Sequence, residues 1–304
     1  MDFDVIILGD YCLDLVFTGL PSMPFLGKEI EAKSLSMEPG GACNTALALH
    51  QLGVKTAFAA EFGNDDYSQF VLNRFSSEGF PFDLFKISDH PVRKITVSLS
   101  FPQDRAFIAY YDPSQQIETA LRALTQSSAR LVVIPTLFYG PALTLGDVLA
   151  SSRHMQLFMD GNSMDASTLD KPAIKHALKR VRFYSPNHDE AVRITGQEDM
   201  QTAARMLGEH CQTVIVKDGA NGCWCSDEGH IYHEPGYKVK VVDTTGAGDC
   251  FNAGFIKAWL DGRDIRSCMQ FANMAGALST QRAGANSYRL STAEIETRLT
   301  QETK

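Results

Sequence analysis

The segment Asp243-Thr-Thr-Gly-Ala-Gly-Asp249 leads into Phe251, Phe255 and Trp259 at helical spacing, so a glycine-rich turn opens a helix. Backbone N–H groups at a helix N-terminus lack intrahelical acceptors and carry partial positive charge, and Gly246 and Gly248 let an anion approach closely. A carboxylate at Asp249 then sits beside an anion cradle. It can take the proton of an attacking hydroxyl while the backbone donors stabilise the charge that develops on a transferred phosphoryl group. The same residues also read as an ordinary turn with a capping Asp. Other nucleotide signatures are missing from the chain: there is no G-x-x-x-x-G-K-[ST], no H-R-D or D-F-G, and the first apolar run ends in Gly9-Asp10-Tyr11 without G-x-G-x-x-G.

Three further segments carry chemistry-bearing residues. Pro39-Gly40-Gly41-Ala42-Cys43-Asn44-Thr45-Ala46 enters a helix that ends at Leu52-Gly53, and Gly63-Asn-Asp65-Asp66 follows the next strand. Asn187-His188-Asp189-Glu190 follows Pro186 and, read by itself, is a capping box. Lys217-Asp-Gly219-Ala-Asn-Gly222 reads by itself as a hairpin turn.

Together these motifs resemble the ribokinase-like PfkB family of carbohydrate kinases. Gly40-Gly41-Ala42-x-Asn44-x-Ala46 with Gly53 and Gly63 is similar to the N-terminal signature of that family, and residues 243–249 to its C-terminal one. The resemblance implies that Asp249 is the catalytic base and that the 246–248 amides are the anion hole for the γ-phosphate of ATP. It implies that Asp243 and Thr245, with a later loop around Ala283, Gly284 and Ser287, hold an activating monovalent cation such as K⁺. Asn187 and Glu190 would organise Mg²⁺ and phosphates largely through water, which suits an ion that keeps its waters and borrows one or two carboxylates. Lys217, Gly219 and Gly222 fall on the nucleotide side, and Asn273, in Phe271-Ala-Asn-Met-Ala-Gly276, on the adenine pocket.

On the acceptor side the resemblance assigns Asp14, Gly41 and Asn44 to the hydroxyls of a sugar; taken alone, Asp14 is equally a solvated turn residue. Two departures matter. Asp160-Gly-Asn162-Ser-Met164 has Met where many sugar-kinase relatives carry the Arg of D-x-N-x-R, and the glycine loop is one residue shorter than in ribokinase itself. Ribose is therefore not named as the acceptor. Arg105 reads either as a contact to a carboxylate or phosphate on the acceptor or as an exposed turn residue. A nucleoside kinase of the same fold is the nearest alternative, and a catalytically idle metabolite-binding regulator is the alternative from another class.

The elements that must position these residues follow an α/β rhythm. Residues 5–8, 56–60, 131–134, 157–159, 183–184 and 213–216 are short apolar runs, and most alternate with helical patterns such as 42–52 and 66–78, the signature of a mostly parallel sheet flanked by helices. Residues 15–36 and 92–111 break that rhythm and predict a small β flap; the resemblance implies that this flap is the lid of one ribokinase-like domain spanning 1–304. Phe107, Tyr110 and Tyr111 on this flap either meet a substrate ring or fill a homodimer interface through the lid.

Composition sets the outer bounds. With 304 residues, 28 Lys+Arg against 36 Asp+Glu and a formal net charge of -8, the chain lacks the clustered basic surface of a nucleic-acid binder. The start lacks the cationic region of a signal peptide, and the uncharged run 131–146 is short and broken by Pro135, Gly140 and Pro141, so no membrane span is expected. Seven scattered cysteines, with one close pair at Cys223 and Cys225 near His230 and His233, predict reduced thiols in the cytoplasm rather than a zinc site.

Overall fold

The computed structural model describes residues 2–101, 105–162, 168–282, 284–285 and 287–302. Its first third contains β1 (Asp2–Leu8), β2 (Tyr11–Thr18), β3 (Ser34–Gly41), α1 (Ala42–Gln51), β4 (Thr56–Ala59), β5 (Glu61–Phe62), α2 (Asp66–Ser77) and β6 (Lys86–Ile87). The middle adds β7 (Lys94–Ser100), β8 (Arg105–Tyr111), α3 (Gln116–Gln126), β9 (Ser128–Ile134), α4 (Pro141–Ser151), β10 (Gln156–Asp160), α5 (Pro172–Leu178), β11 (Phe183–Ser185) and α6 (His188–Thr195). The last third comprises α7 (Met200–Gly208), β12 (Thr213–Lys217), β13 (Cys223–Asp227), β14 (His230–Glu234), α8 (Ala247–Leu260), α9 (Ile265–Ser279) and α10 (Thr292–Glu302).

The main sheet has the order β14-β13-β12-β11-β10-β9-β1-β4. Its strands are parallel from β4 to β12, and β13 and β14 extend it as antiparallel edge strands. The near-continuous apolar runs of β1, β9 and β12 follow from helices covering both faces. On one side Val5 and Ile7 pack with residues of α1, α2, α8 and α9; on the other Ile6 and Val132 pack with residues of α3 to α7. Alternation along a strand sends neighbouring residues into these two separate cores.

The small sheet has the order β3-β2-β7-β8. It starts earlier and ends later than the expected segment 15–36, because β2 and β3 pair along their whole length from Thr18↔Ser34 to Tyr11↔Gly41, and Gly41 passes directly into α1. Its two faces differ in chemistry. Leu13, Leu15 and Phe17 register with Ile95, Val97 and Leu99 and then with Tyr110, Ile108 and Ala106; Asp14 and Val16 register with Thr96 and Ser98 and then with Ala109 and Phe107. Arg105 is the first residue of β8 rather than part of a turn. Pro102, Gln103 and Asp104, which precede it in the flap segment, lie outside the described residues, as do Met164 and Ala283.

All seven cysteines are free and buried. Trp224 pairs with His233, whose ring lies 4.3 Å from the indole, so that histidine stands on the sheet face away from Cys223 and Cys225. Among the described residues no group of three His, Cys, Asp or Glu side chains could hold a metal ion, and no helix is long and apolar enough to cross a membrane.

One glycine fixes how β13 leaves the turn after β12. Gly222 has φ +94°, and a Cβ there would overlap the carbonyl oxygen of Glu234. Gly222→Ala is expected to lower stability by more than about 1–2 kcal/mol, read as a fall in the urea midpoint at unchanged slope.

Candidate active site

The glycine turn ahead of α8 owes its shape to Gly246, which caps the helix in the left-handed region (φ 73°, ψ 2°), and a Cβ there would lie 2.5 Å from the Cβ of Ala285. The helix cap has no side-chain hydrogen bond; the Ala247 amide donates to the Thr244 carbonyl at 3.2 Å, while among the described residues the Gly246 and Gly248 amides stay available to a ligand. Asp249 lies in that first turn and lines a cleft of about 1310 Å³ together with Gly246, Gly248, Asn44, Lys217 and Glu190. Thr45 Oγ1 donates to Asp249 Oδ1 at 2.6 Å, and Asn44 Nδ2 donates to Oδ2 at 3.4 Å. Desolvation in this enclosed position, reinforced by the nearby Asp160 carboxylate, pushes the Asp249 carboxyl up to about 6, with Thr45, Lys217 and Asn44 opposing the rise. A carboxylate tuned toward neutrality is suited to taking and releasing a proton.

Behind the turn, the ends of β10, β11 and β12 meet α8 through a polar network. Lys217 Nζ donates to Asp160 Oδ1 at 2.8 Å, Asn252 Nδ2 donates to Asp160 Oδ2 at 2.7 Å, and Ser185 Oγ is 2.7 Å from Asn252 Oδ1. The ammonium lies 3.6 Å from where a Cβ on Gly248 would stand, so the positive charge of Lys217 faces the anion cradle. Asn252 is absent from the sequence reading; its spacing of three from Asp249 on one helix was the available signal.

Asn187 and Glu190 form a complete capping box at α6: Glu190 N–H donates to Asn187 Oδ1 at 2.9 Å and Asn187 N–H to Glu190 Oε2 at 2.7 Å. Both residues also line the cleft. Burial, with the Asp160 carboxylate second, raises the Glu190 carboxyl above its ordinary range, although Lys217 opposes this. Two carboxylates, Asp160 and Glu190, at one end of a cleft are a donor set that suits a hydrated divalent cation.

Asp243, Thr245, Gly284 and Ser287 come together beside the turn. Asp243 Oδ1 accepts from Thr245 N–H at 3.0 Å and Thr245 Oγ1 at 2.7 Å, Oδ2 accepts from Gly284 N–H at 2.9 Å, and Ser287 Oγ donates to the Gly284 carbonyl at 2.8 Å. Although desolvation acts in the opposite direction, the Gly284 and Thr245 hydrogen bonds hold the Asp243 carboxyl below its ordinary range. Arg105 Nη1 reaches across from β8 and donates to Thr245 Oγ1 at 2.9 Å, linking the small sheet to the glycine turn.

On the nucleotide side, residues 219–221 form a 3-10 turn that joins β12 to antiparallel β13, so the hairpin reading of this segment holds. Gly219 lines the cleft, whereas Gly222 packs beneath the end of β14. Asn273 is buried in α9 and donates to the carbonyls of Glu234 and Pro235 at 3.1 and 3.2 Å. Its amide therefore anchors the chain leaving β14 and is not among the cleft-lining groups.

On the acceptor side, Asp14 sits on the polar face of the small sheet opposite Glu38, with its carboxylate over Gly40 in the space a Cβ would fill. Burial, opposed by Cys12 and assisted by Glu38, pushes its carboxyl up to about 6. The neighbouring cleft wall carries Gly41 and Asp10, and Asp10 accepts from Lys94 Nζ at 2.6 Å. Asp10 was missed from the sequence because an acidic residue after a strand looks like a turn residue. Alternation resolves the flap aromatics: Phe107 and Tyr111 line the cleft with Arg105, while Tyr110 points to the opposite face with Ile108.

A central, mostly parallel sheet carrying helices on both faces, a small second sheet and a glycine turn that opens a helix define the ribokinase-like class of α/β proteins. The sequence pattern of the pfkB family carbohydrate kinases matches residues 3–293, and the chain belongs to that family. It is 27% identical over 297 residues to a ribokinase of Bacillus subtilis, covering 96% of this chain and 98% of that protein. In three dimensions it resembles Arabidopsis thaliana ribokinase complexed with ribose and ATP, with TM-score 0.81, 20% identity and coverage of 98% and 99% of the two chains. It also resembles a Burkholderia thailandensis nucleoside kinase in complex with inosine, with TM-score 0.76, 19% identity and coverage of 98% and 97%.

The raised Asp249 carboxyl has a stability consequence. Because the folded value, about 6, lies above that of an unfolded Asp, the contribution of this group is fully present below about pH 4 and is lost as pH rises through 6. Asp249→Asn, which removes the charge, is expected to melt at a higher temperature than the parent protein at pH 8, with the difference closing between pH 6 and 4 in paired thermal melts.

Proposed function

We propose that this protein is an ATP-dependent phosphotransferase acting on a hydroxyl of a small sugar or sugar derivative. The observation that carries the reading is the Asp249 carboxylate, raised to about 6, in the first turn of a helix whose N-terminus has no side-chain cap. Asp249 takes the proton of the acceptor hydroxyl, the hydroxyl oxygen forms the new bond to the γ-phosphorus, and the bond to the β,γ-bridging oxygen breaks to release ADP. The N–H groups of Gly246, Ala247 and Gly248 hold the γ-phosphate oxygens, and Lys217 adds positive charge beneath them. ATP as donor accords with the family and with the ATP-bound Arabidopsis relative of the same fold.

Glu190 and Asn187, with Asp160 nearby, fit a water-coordinated Mg²⁺, which when bound neutralises phosphate charge. Asp243, Thr245, Gly284 and Ser287 are the candidate residues for a monovalent cation such as K⁺. Lys217, Gly219 and Gly222 support the nucleotide side, and Asn273 supports it indirectly through the 234–235 backbone. Asp14, Gly41, Asn44 and Arg105 are the acceptor-side groups, and the small sheet acts as the lid that excludes water. Seven unpaired thiols suit a reducing compartment, and the cytoplasm is the proposed location.

A second reading has its own observation. Between α3 and α4 the cleft extends into an uncharged recess lined by Ile117, Leu121, Leu124, Ala142 and Leu143. Such a recess favours an acceptor that bears an apolar group, as a nucleoside does, over a free sugar. A panel of sugars and nucleosides in an ADP-release assay separates the two, and ligand binding without ADP release across the whole panel would point to the idle regulator. On the preferred acceptor Asp249→Ala is expected to lose at least about 10² in kcat with the fold intact; near-parental turnover would overturn the assignment of the base.

The outer face of the lid exposes Leu35, Met37, Ile108 and Tyr110, between 41% and 63% accessible. An apolar sheet face of this kind supports a homodimer formed lid to lid, since a twofold pairing covers the same patch on both copies. Ile108→Lys is expected to convert a dimer to a monomer in light scattering after size exclusion, and a parental protein that is monomeric at high micromolar concentration would refute the pairing.

A further inference from the structure

The carboxylate of Asp249 is held from α1, not from its own helix. Thr45 stands in the first turn of α1, is 1% exposed, and its hydroxyl reaches Asp249 Oδ1 at 2.6 Å. A hydroxyl has one proton to donate, and a separation this short is that of a charge-assisted bond to an ionised carboxylate. Among the described residues the other oxygen, Oδ2, has only the long 3.4 Å contact from Asn44 Nδ2. The two oxygens of the base are therefore not equivalent: one is engaged by a buried donor and the other keeps its capacity to accept. The charged groups acting on the carboxylate are Asp160 at the end of β10 and Lys217 at the end of β12, while the thiol of Cys250 follows it in the chain. None of these sets its rotation about the Cβ–Cγ bond, whereas a donor fixed in a packed helix does.

From this geometry we infer that Thr45 is a positioning residue for the base: its hydroxyl locks the Asp249 carboxylate in one orientation and leaves Oδ2 as the oxygen that receives the proton of the acceptor. The inference rests on the reading of Asp249 as the base. It also changes the role of the glycine loop. The segment that ends in Gly40-Gly41 delivers α1 so that Thr45 meets α8, which places the alignment of the base under the control of a helix some two hundred positions earlier in the chain.

The test uses the full chain and the best acceptor from the panel. Thr45→Val keeps the shape and removes the donor, and it is expected to lower kcat by about tenfold to a hundredfold with the KM for ATP unchanged. Its acid limb in the kcat profile should move to higher pH, because a carboxylate that loses a donor holds its proton more tightly. Thr45→Ser should restore both the rate and the limb, and Thr45→Val added to Asp249→Asn should cost no further activity. If Thr45→Val does not fold, Thr45→Ala is measured in its place with the same readouts. A parental rate and limb in these variants, with Asp249→Ala inactive, overturns the inference and leaves the base in place. A pH-independent loss that serine does not restore marks a packing role and also overturns it. An active Asp249→Ala instead removes the reading on which it stands.

Discussion

An acid group must keep its charge where water has been largely displaced, next to the place where a second negative charge arrives. The rest of this structure is arranged around that constraint. Asp249 meets it through neighbours from three parts of the chain, Thr45 and Asn44 from α1, Lys217 from β12 and the N-terminal end of its own helix, against the opposing Asp160 carboxylate of β10. The parallel sheet makes this assembly possible, because its strands end together at one edge and each delivers a side chain to the same point. The main sheet is therefore a positioning device as much as a core.

The arrangement trades stability for chemistry. Asp249 and Asp14 are both pushed to about 6 by burial, so both are held charged at neutral pH against their surroundings. Hydrogen-bonded carboxylates such as Asp243 go the other way and tie the turn to the 284–287 segment. One cluster thus contains acids whose environments push their proton affinities apart, a division that separates groups suited to proton transfer from groups suited to structure. It also shows how an acidic chain with a net charge of -8 accommodates a polyanion. The proposed ligands for phosphate are backbone N–H groups, which a sum over charges does not count, and one local ammonium, whose position such a sum does not show.

Much of the frame was legible because it follows from periodicity. Apolar runs of two to five residues marked the main strands, and the break in that rhythm over 92–111 marked the small sheet, since each pattern is the local record of which face meets a core. The capping box at Asn187 and Glu190 was legible for the same reason: it is made within one turn of chain. What depends on a partner distant in sequence left no such record. Asn273 sits in a helix whose spacing says buried, but only the packing against the end of β14 directs its amide to the Glu234 and Pro235 carbonyls. Nothing in the chain around Asp10 records that Lys94 of the small sheet stands opposite it.

The sequence by itself determined the alternating elements, the glycine turn before α8 and the presence of an acid beside it, because backbone conformation at Gly246 and the periodicity of α8 are local properties. The tertiary structure alone decided what that acid can do. Its proton affinity depends on desolvation and on Asp160, its orientation on Thr45, and its access to a phosphate on the placing of Lys217 behind Gly248. Each is a distance between groups remote in the chain, set only when the sheet edge and the two helices close around one cleft.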